Sequence, residues 1–274
     1  MLPEDALVSA IARAVGGPSG GVVLGIGDDA AVLDDGTVAS TDILVEGVHF
    51  DLGRLCARDV GHRAATANLS DLAAMGARPV ALLAAFGLPP GFEDVAELAA
   101  GMCEHDVPVA GGDLSRAPVL IVSVTALGRA ERPVRRSGGR PGDVLVVTGA
   151  LGGQAACGYA GRVTPRTDEG PALAAVAAAM IDLSDGIATD AGRLARASGT
   201  GAVIELDLLP RAAGASVEQA ATGGEDYELL AALPPGAEPP VPVTVVGRLT
   251  EAPDVLLVDA AGTPQTLRGW DHFA

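Results

Sequence analysis

The sequence predicts a mixed α/β (α+β) fold in two domains, on three observations. Strand-like and helix-like segments alternate from end to end, which favours sheets covered by helices over a bundle or a sandwich. The length of 274 residues corresponds to one or two domains at ~150 residues each. The segment Glu131–Asp143 is rich in Arg, Gly and Pro and reads as a linker. Residues 1–136 and 137–274 are therefore expected as N-terminal and C-terminal domains. Hydrophobic residues make up 49% of the chain, enough for a sizeable core.

The elements follow in order. Pro3 to Val15 reads as a helix with Leu7, Ile11 and Val15 on one face. Val22–Ile26 and Val38–Thr41 read as strands, and Asp34-Asp35-Gly36 between them as a hairpin turn. Leu55–Met75 is a long helix of small residues, with Gly76 as its stop. Pro79–Leu88 is an apolar strand ended by Pro89-Pro90-Gly91, and Asp94–Cys103 a helix. Val107–Ala110 and Val119–Leu127 are expected as strands. In the second half, strand Val144–Thr148 enters the glycine-rich turn Gly149–Gly153, and Ala172–Met180 is expected to be helical. Gly186–Ser198 is a helix stopped by Gly199. Val203–Leu208, Tyr227–Leu233 and Pro242–Val246 are strands.

Charge excludes several functions. The formal net charge is −17, with 35 acids against 18 basic residues, and every basic residue is Arg. Without Lys there is no P-loop, no protein-kinase strand lysine and no Schiff-base chemistry. The acids are spread over both halves, arguing against nucleic acid or an anionic membrane as partner. Cys56, Cys103 and Cys157 are scattered and odd in number, which fits a reduced, cytoplasmic setting. The first residues carry acids before their apolar run, unlike a signal peptide. No apolar run reaches the ~18 residues of a membrane span.

The informative feature is where aspartates sit. They recur beside glycine at strand ends and helix edges: GIGDDAAV (25–32), STDILVEGVHF (40–50), NLSDLAAMGA (68–77), GGDLS (111–115), IDLSDG (181–186) and GGEDYELL (223–230). Hard cations take oxygen ligands, and Mg²⁺ commonly shares a few carboxylates with substrate phosphates. Each motif alone also fits a turn or a cap, and Asp185 before Gly186 could be an N-cap. Asp71 is harder to place that way, because a bare charge inside a helix of Ala, Leu and Met needs a partner. His49, ending a strand-like run, fits either a structural or a ligand-binding role. The Gly149–Gly153 turn is a weak phosphate-cradle candidate, lacking GxGxxG. Arg135, Arg136 and Arg140 form either a salt-bridging surface or an anion site.

Taken in order, these motifs, with RRSGGRPGD (135–143) and the terminal GWDHF, resemble the thiamine-monophosphate kinase family, in the superfamily of aminoimidazole ribonucleotide synthetase. The resemblance runs from Gly25 to Phe273. It implies phosphorylation of thiamine monophosphate to thiamine diphosphate by ATP, with several Mg²⁺ ions. It also implies a homodimer of two-domain protomers whose N-terminal sheets join. Carried over by position, Asp28, Asp29, Ser40, Thr41, Asp42, Asp71, Asp113, Asp182 and Asp185 resemble the metal ligands. Asp42, Asp71 and Asp113 are the ones expected on ions bridging the phosphates. Gly112, Asp113, Arg136 and Ser184 resemble nucleotide contacts, and His49, Glu225 and Trp270 substrate contacts.

The chain departs from the family by being shorter between Gly149 and Pro171 and between Leu209 and Gly223. Leu114 also stands where Thr is frequent. Rival expectations are another enzyme of the superfamily or a non-catalytic nucleotide binder. Selenophosphate synthetase would bring a Lys and a reactive Cys near its N-terminus, whereas the first Cys here is Cys56. The hydrogenase-maturation member would bring a Cys-containing tail.

Overall fold

The computed structural model describes residues 4–270. Pro3 and, within the terminal GWDHF motif, Asp271, His272 and Phe273 lie outside the described residues. The chain builds two sheets. The first takes β1 (Val22–Leu24), β2 (Ala31–Leu33), β3 (Thr37–Val45), β4 (Arg78–Leu88), β5 (Val109–Arg116) and β6 (Ile121–Arg129) in the order β1-β2-β3-β6-β4-β5. Helices α1 (Glu4–Val15), α2 (Ala57–Ala74) and α3 (Val95–Met102) belong to this half.

The second sheet holds β7 (Val144–Val147), β8 (Ala179–Asp182), β9 (Gly201–Glu205), β10 (Leu229–Leu233), β11 (Thr244–Thr250), β12 (Val255–Val258) and β13 (Pro264–Gln265). Their order is β13-β12-β9-β11-β7-β10-β8. Helices α4 (Gly153–Ala156), α5 (Glu169–Leu173), α6 (Ile187–Ser198) and α7 (Val217–Thr222) accompany them. No helix among the described residues is long and apolar enough to cross a membrane, and the three cysteines are free.

Helix α2 is the hinge-pin of the molecule. Leu69 and Leu72 join the core of the first sheet, whereas Ala73 and Ala74 join a core cluster with Val146, Met180 and Leu229 of the second. A helix buried on both sides needs small residues for close approach. An added Cβ on Gly61 would lie 2.0 Å from the Leu98 carbonyl oxygen of α3, and one on Gly101 of α3 1.9 Å from the Arg58 carbonyl oxygen. The expected stop is in place. Gly76 adopts φ +67°, its N–H bonds the Ala73 carbonyl, and the Ala77 N–H bonds that of Leu72 at 2.8 Å, the two-bond closure that a left-handed residue permits.

Alternation along β3 decides which side chains reach the site. Val38, Ser40 and Leu44 are buried and Asp42 is half-buried, on the side facing α2, while Thr41 and Ile43 are exposed on the other. The Asp34-Asp35-Gly36 turn does join two paired strands, β2 and β3.

The expected helix at Ala172–Met180 is corrected. Only Glu169–Leu173 is helical, and Ala179–Asp182 is strand β8, fully buried beside β10. The alanine run favours helix intrinsically, but pairing in a buried sheet overrides propensity. The strand expected at Val107–Ala110 runs instead from Val109 to Arg116, placing GGDLS inside β5. Strand β9 stops at Glu205, and Leu206–Leu208 form a 3₁₀ turn. Strand β2, helix α7 and strands β12 and β13 go beyond the sequence reading.

Candidate active site

Between the two sheets lies a cleft of ≈ 1270 Å³. Of the residues expected at a site, it is lined by Asp28, Asp29, Ser40, Thr41, Asp42, His49, Asp71, Arg136, Asp182, Ser184, Asp185, Glu225 and Trp270. Gly112 and Asp113 are absent from that lining. They sit on edge strand β5, where Asp113 pairs with Ala85, Ala85 with Ser123, and Ser123 with Ile43. That row belongs to the outward face of the sheet. Asp113 is therefore about 14 Å from β3, at ~4.8 Å per strand, on the face opposite Ser40, Asp42 and α2. Thr41 shares the outward face, its hydroxyl 3.0 Å from that of Thr125.

The centre is a triad of carboxylates. Asp29, Asp71 and Asp182 present oxygens within 4.8 Å of one another. They come from the turn before β2, the last turn of α2 and the end of β8. Each has one oxygen held by a donor. The Arg136 guanidinium grips Asp29 Oδ1 through Nη2 at 2.7 Å and Nε at 3.1 Å. The Ser40 hydroxyl donates to Asp71 Oδ2, and the Ser70 hydroxyl to Asp182 Oδ2 at 2.7 Å. Asp29 Oδ2 is buried without a hydrogen-bond partner. A buried acceptor in that state is a place for a bound cation or water.

Electrostatics agree. Burial first, then neighbouring carboxylates, pushes Asp71 and Asp182 well above the usual aspartate range. Burial also raises Asp29, against the pull of Arg136. Asp28 is pushed up to about 6 by burial and by Asp29. Crowded acids of this kind call for positive charge, and no Lys exists to supply it.

Supporting groups complete the wall. Asn68, three residues before Asp71, accepts the Asp42 N–H on Oδ1 at 3.0 Å and donates to the Ala64 carbonyl at 2.9 Å. Asp185 does not cap α6, whose N-cap is Gly186 without a side-chain cap bond. It pairs instead with Arg193, which also holds Asp190 at 2.8 Å. His49 Nδ1 accepts the Val45 N–H at 3.1 Å, so Nε2 carries the ring proton. The Trp270 backbone N–H bonds the Asp185 carbonyl at 3.0 Å.

The glycine-rich turn after β7 is not a phosphate cradle. Asp226 takes the N–H groups of Gly152 and Gln154, and a Cβ on Gly149 would meet the Glu228 carboxylate. The Arg135–Arg140 patch divides. Arg136 is turned inward onto Asp29, while Arg135 and Arg140 are exposed. Arg63, Arg193 and Asp190 go beyond the sequence reading, and Ser70, though inside NLSDLAAMGA, carries no assigned role there, since a single Arg, Asp or Ser within a helix has no pattern that marks it.

Comparison with known proteins agrees with this geometry. Residues 27–130 match the family model of AIR synthase related protein, N-terminal domain. The thiamine-monophosphate kinase of Halobacterium salinarum is 40% identical, over 92% of this chain and 96% of its own length. That of Salmonella typhimurium is 37% identical, over 92% and 93% respectively. The solved structure of AaThiL complexed with AMPPCP and TMP superposes with a TM-score of 0.89 at 30% identity, covering 99% of this chain and 97% of that one. By these similarities, spanning both halves, the chain belongs to the thiamine-monophosphate kinase family.

Proposed function

We propose that the chain phosphorylates thiamine monophosphate with ATP, forming thiamine diphosphate and ADP by direct transfer of the γ-phosphoryl group. The observation that carries this reading is the convergence of Asp29, Asp71 and Asp182 in a Lys-free cleft. A substrate phosphate oxygen is already a competent nucleophile. The protein's task is to position two anions and offset their repulsion, with little covalent participation.

The donor set fits a hard divalent cation such as Mg²⁺: three carboxylates, each with one oxygen tied and one left over, and a buried orphan on Asp29. Asp29, Asp71 and Asp182 would hold it, with Asp28, Ser40, Asp42 and Asp185 alongside. Bound Mg²⁺ ions would neutralise phosphate charge and align the reacting groups. The chain's own residues do the rest. Ser40, Ser70 and Arg136 fix the three carboxylates. Arg136 and Ser184 stand at the nucleotide side. His49 offers an Nε2 proton to the acceptor, and Glu225 opposes the cationic thiazolium. Trp270 completes the wall.

Two features support a homodimer with one domain division near residue 136. The two sheets are joined through a stretch without helix or strand, 130–143. The outward face of the first sheet exposes apolar side chains, Ile43 at 53% and Leu83 at 40%, an unusual cluster for a solvated face. A second copy laid against that face would put Asp113 and Thr41 in the interface, next to the cleft rim, which gives Asp113 and Gly112 a route to the site that one protomer lacks. The free cysteines and the use of ATP support a cytoplasmic location.

The test is direct. The protein is incubated with ATP and Mg²⁺ plus either thiamine monophosphate or thiamine, and products are separated by chromatography. Thiamine diphosphate from the monophosphate, and no product from free thiamine, is expected. Free thiamine offers a neutral hydroxyl that needs a general base. Efficient phosphorylation of free thiamine, or no product from the monophosphate, would refute the reading.

A further inference from the structure

Among the described residues, four non-glycine positions have left-handed backbone, and three of them line the cleft: Tyr159 (φ +60°), Glu225 (φ +62°) and Tyr227 (φ +50°). Such conformations are strained and persist where surroundings over-determine them, which happens most at functional sites. Here one side chain does much of the determining. Arg63 projects from α2 and is only 7% exposed. Its Nη1 donates to the His49 carbonyl at 3.3 Å and pairs with Glu225 Oε2 at 3.2 Å, and its Nη2 donates to the Tyr159 carbonyl. Three separate segments, after β3, after α4 and before β10, therefore meet on one guanidinium. Arg54 adds a bond to the Gly158 carbonyl at 2.7 Å, and the Tyr159 N–H bonds the Gln154 carbonyl at 2.7 Å.

The aromatic residues of the cleft differ in what they can offer. Phe50 and Tyr227 are buried, whereas Tyr159 is 41% exposed. Trp270 is also exposed, but it is anchored through its backbone N–H to the Asp185 carbonyl, on a different segment from the three that Arg63 gathers. Tyr159 is held with His49 and Glu225. Its phenol stays neutral, pushed up by burial and by Glu225, so its ring keeps the electron-rich face that attracts cations.

We propose that Arg63 is the positioning residue of the acceptor end of the cleft, and that Tyr159, which it holds, is the aromatic surface on which a planar cationic heterocycle of the acceptor rests, with Glu225 opposing the charge. This rests on the kinase reading above and names residues for its substrate end. The strain at Tyr159 is then the consequence of aiming its ring into the cleft. A planar fork is needed to serve three acceptors at once, which a single ammonium does not reproduce.

Three full-length variants test this: Tyr159→Gly, Tyr159→Phe and Arg63→Lys. Initial rates are measured against thiamine monophosphate at saturating ATP, and against ATP at saturating acceptor, with thermal denaturation alongside. Glycine accepts positive φ without strain, so Tyr159→Gly should keep or raise Tm while raising the acceptor KM about ten-fold. Its KM for ATP should stay near the parent value. Tyr159→Phe should restore the acceptor KM. Arg63→Lys should raise the acceptor KM like the glycine variant, again without moving that for ATP. An unchanged acceptor KM in Tyr159→Gly, a Phe variant as impaired as the Gly variant, or equal shifts in both KM values for Arg63→Lys would overturn the inference. Calorimetric titration of thiamine monophosphate without nucleotide separates this from the kinase reading. If the parent makes no thiamine diphosphate, that reading fails, yet binding about ten-fold weaker in Tyr159→Gly still supports the aromatic surface. Equal binding by both proteins, or none by the parent, sinks it.

Discussion

Replacing Asp71 by Asn should make the metal-free protein more stable and the enzyme far less active. Asp71, Asp29 and Asp182 have oxygens within 4.8 Å. At an effective dielectric of about 20, two unit charges at that separation repel by about 3.5 kcal/mol. Asp71 takes part in two such pairs, so full ionisation would put the relief on the order of 7 kcal/mol. The triad avoids part of that by holding protons, as its raised pKa values show. The Asn side chain keeps a partner for the Ser40 hydroxyl. About 3 kcal/mol of net stabilisation is therefore expected at neutral pH, or about 6 °C in Tm for a chain of this size. The measurement is thermal denaturation in EDTA and in Mg²⁺, beside turnover. The parent should gain Tm on adding Mg²⁺, and Asp71→Asn should gain little, because a charged ligand is gone. Turnover should fall by more than about 100-fold, the upper end for losing a mere supporting partner of a metal ligand. A variant that melts below the parent in EDTA while turning over normally would refute both the repulsion argument and the metal assignment.

Other expectations follow from the same packing. Asp28 is raised to about 6 and Asp190 to about 7, both first by burial. The folded chain then binds more protons than the unfolded chain between about pH 4 and 7, so metal-free stability should fall as pH rises through that window. Tm in EDTA from pH 5 to 8 checks this, and a rising trend would contradict it. Arg136→Ala should leave the buried Asp29 carboxylate unheld, lower stability by about 2–4 kcal/mol and raise the KM for ATP. Arg135→Ala, on an exposed side chain, should stay within about 0.5 kcal/mol; equal effects from both would restore a generic basic patch. Gly101→Ala drives a Cβ to 1.9 Å from the Arg58 carbonyl oxygen. It should destabilise by about 3 kcal/mol or more in denaturant titration, and a neutral result would mean that α2 and α3 slide apart easily. Leu83→Arg on the outward sheet face should yield a monomer by light scattering if that face is the dimer contact.

The sequence alone determined what local chemistry encodes. Gly76 could be read as the end of α2 because a left-handed stop suits glycine. The Asp34-Asp35-Gly36 hairpin was legible for the same reason. The Gly–Asp pairs marked the carboxylates, since glycine beside an acid at a strand end leaves room for a ligand. The order of those motifs pointed to the family. Other features were not local. The alanine run before Asp182 reads as helix, and only a vacancy beside β10 makes its end a strand. Asp113 reads like the other motif aspartates, yet strand parity and the single covering helix put it on the opposite face. Arg63 and Arg193 carry no motif, and Ser70 sits inside NLSDLAAMGA without a sign of its role, because their importance lies in which distant backbone or carboxylate they meet. Asp29, Asp71 and Asp182 are 42 and 111 residues apart along the chain. Side-chain periodicity says which face each one takes on its own element. Only the packing of α2 between two sheets brings three like charges within one ion's reach, because burial in both cores outweighs the repulsion it imposes.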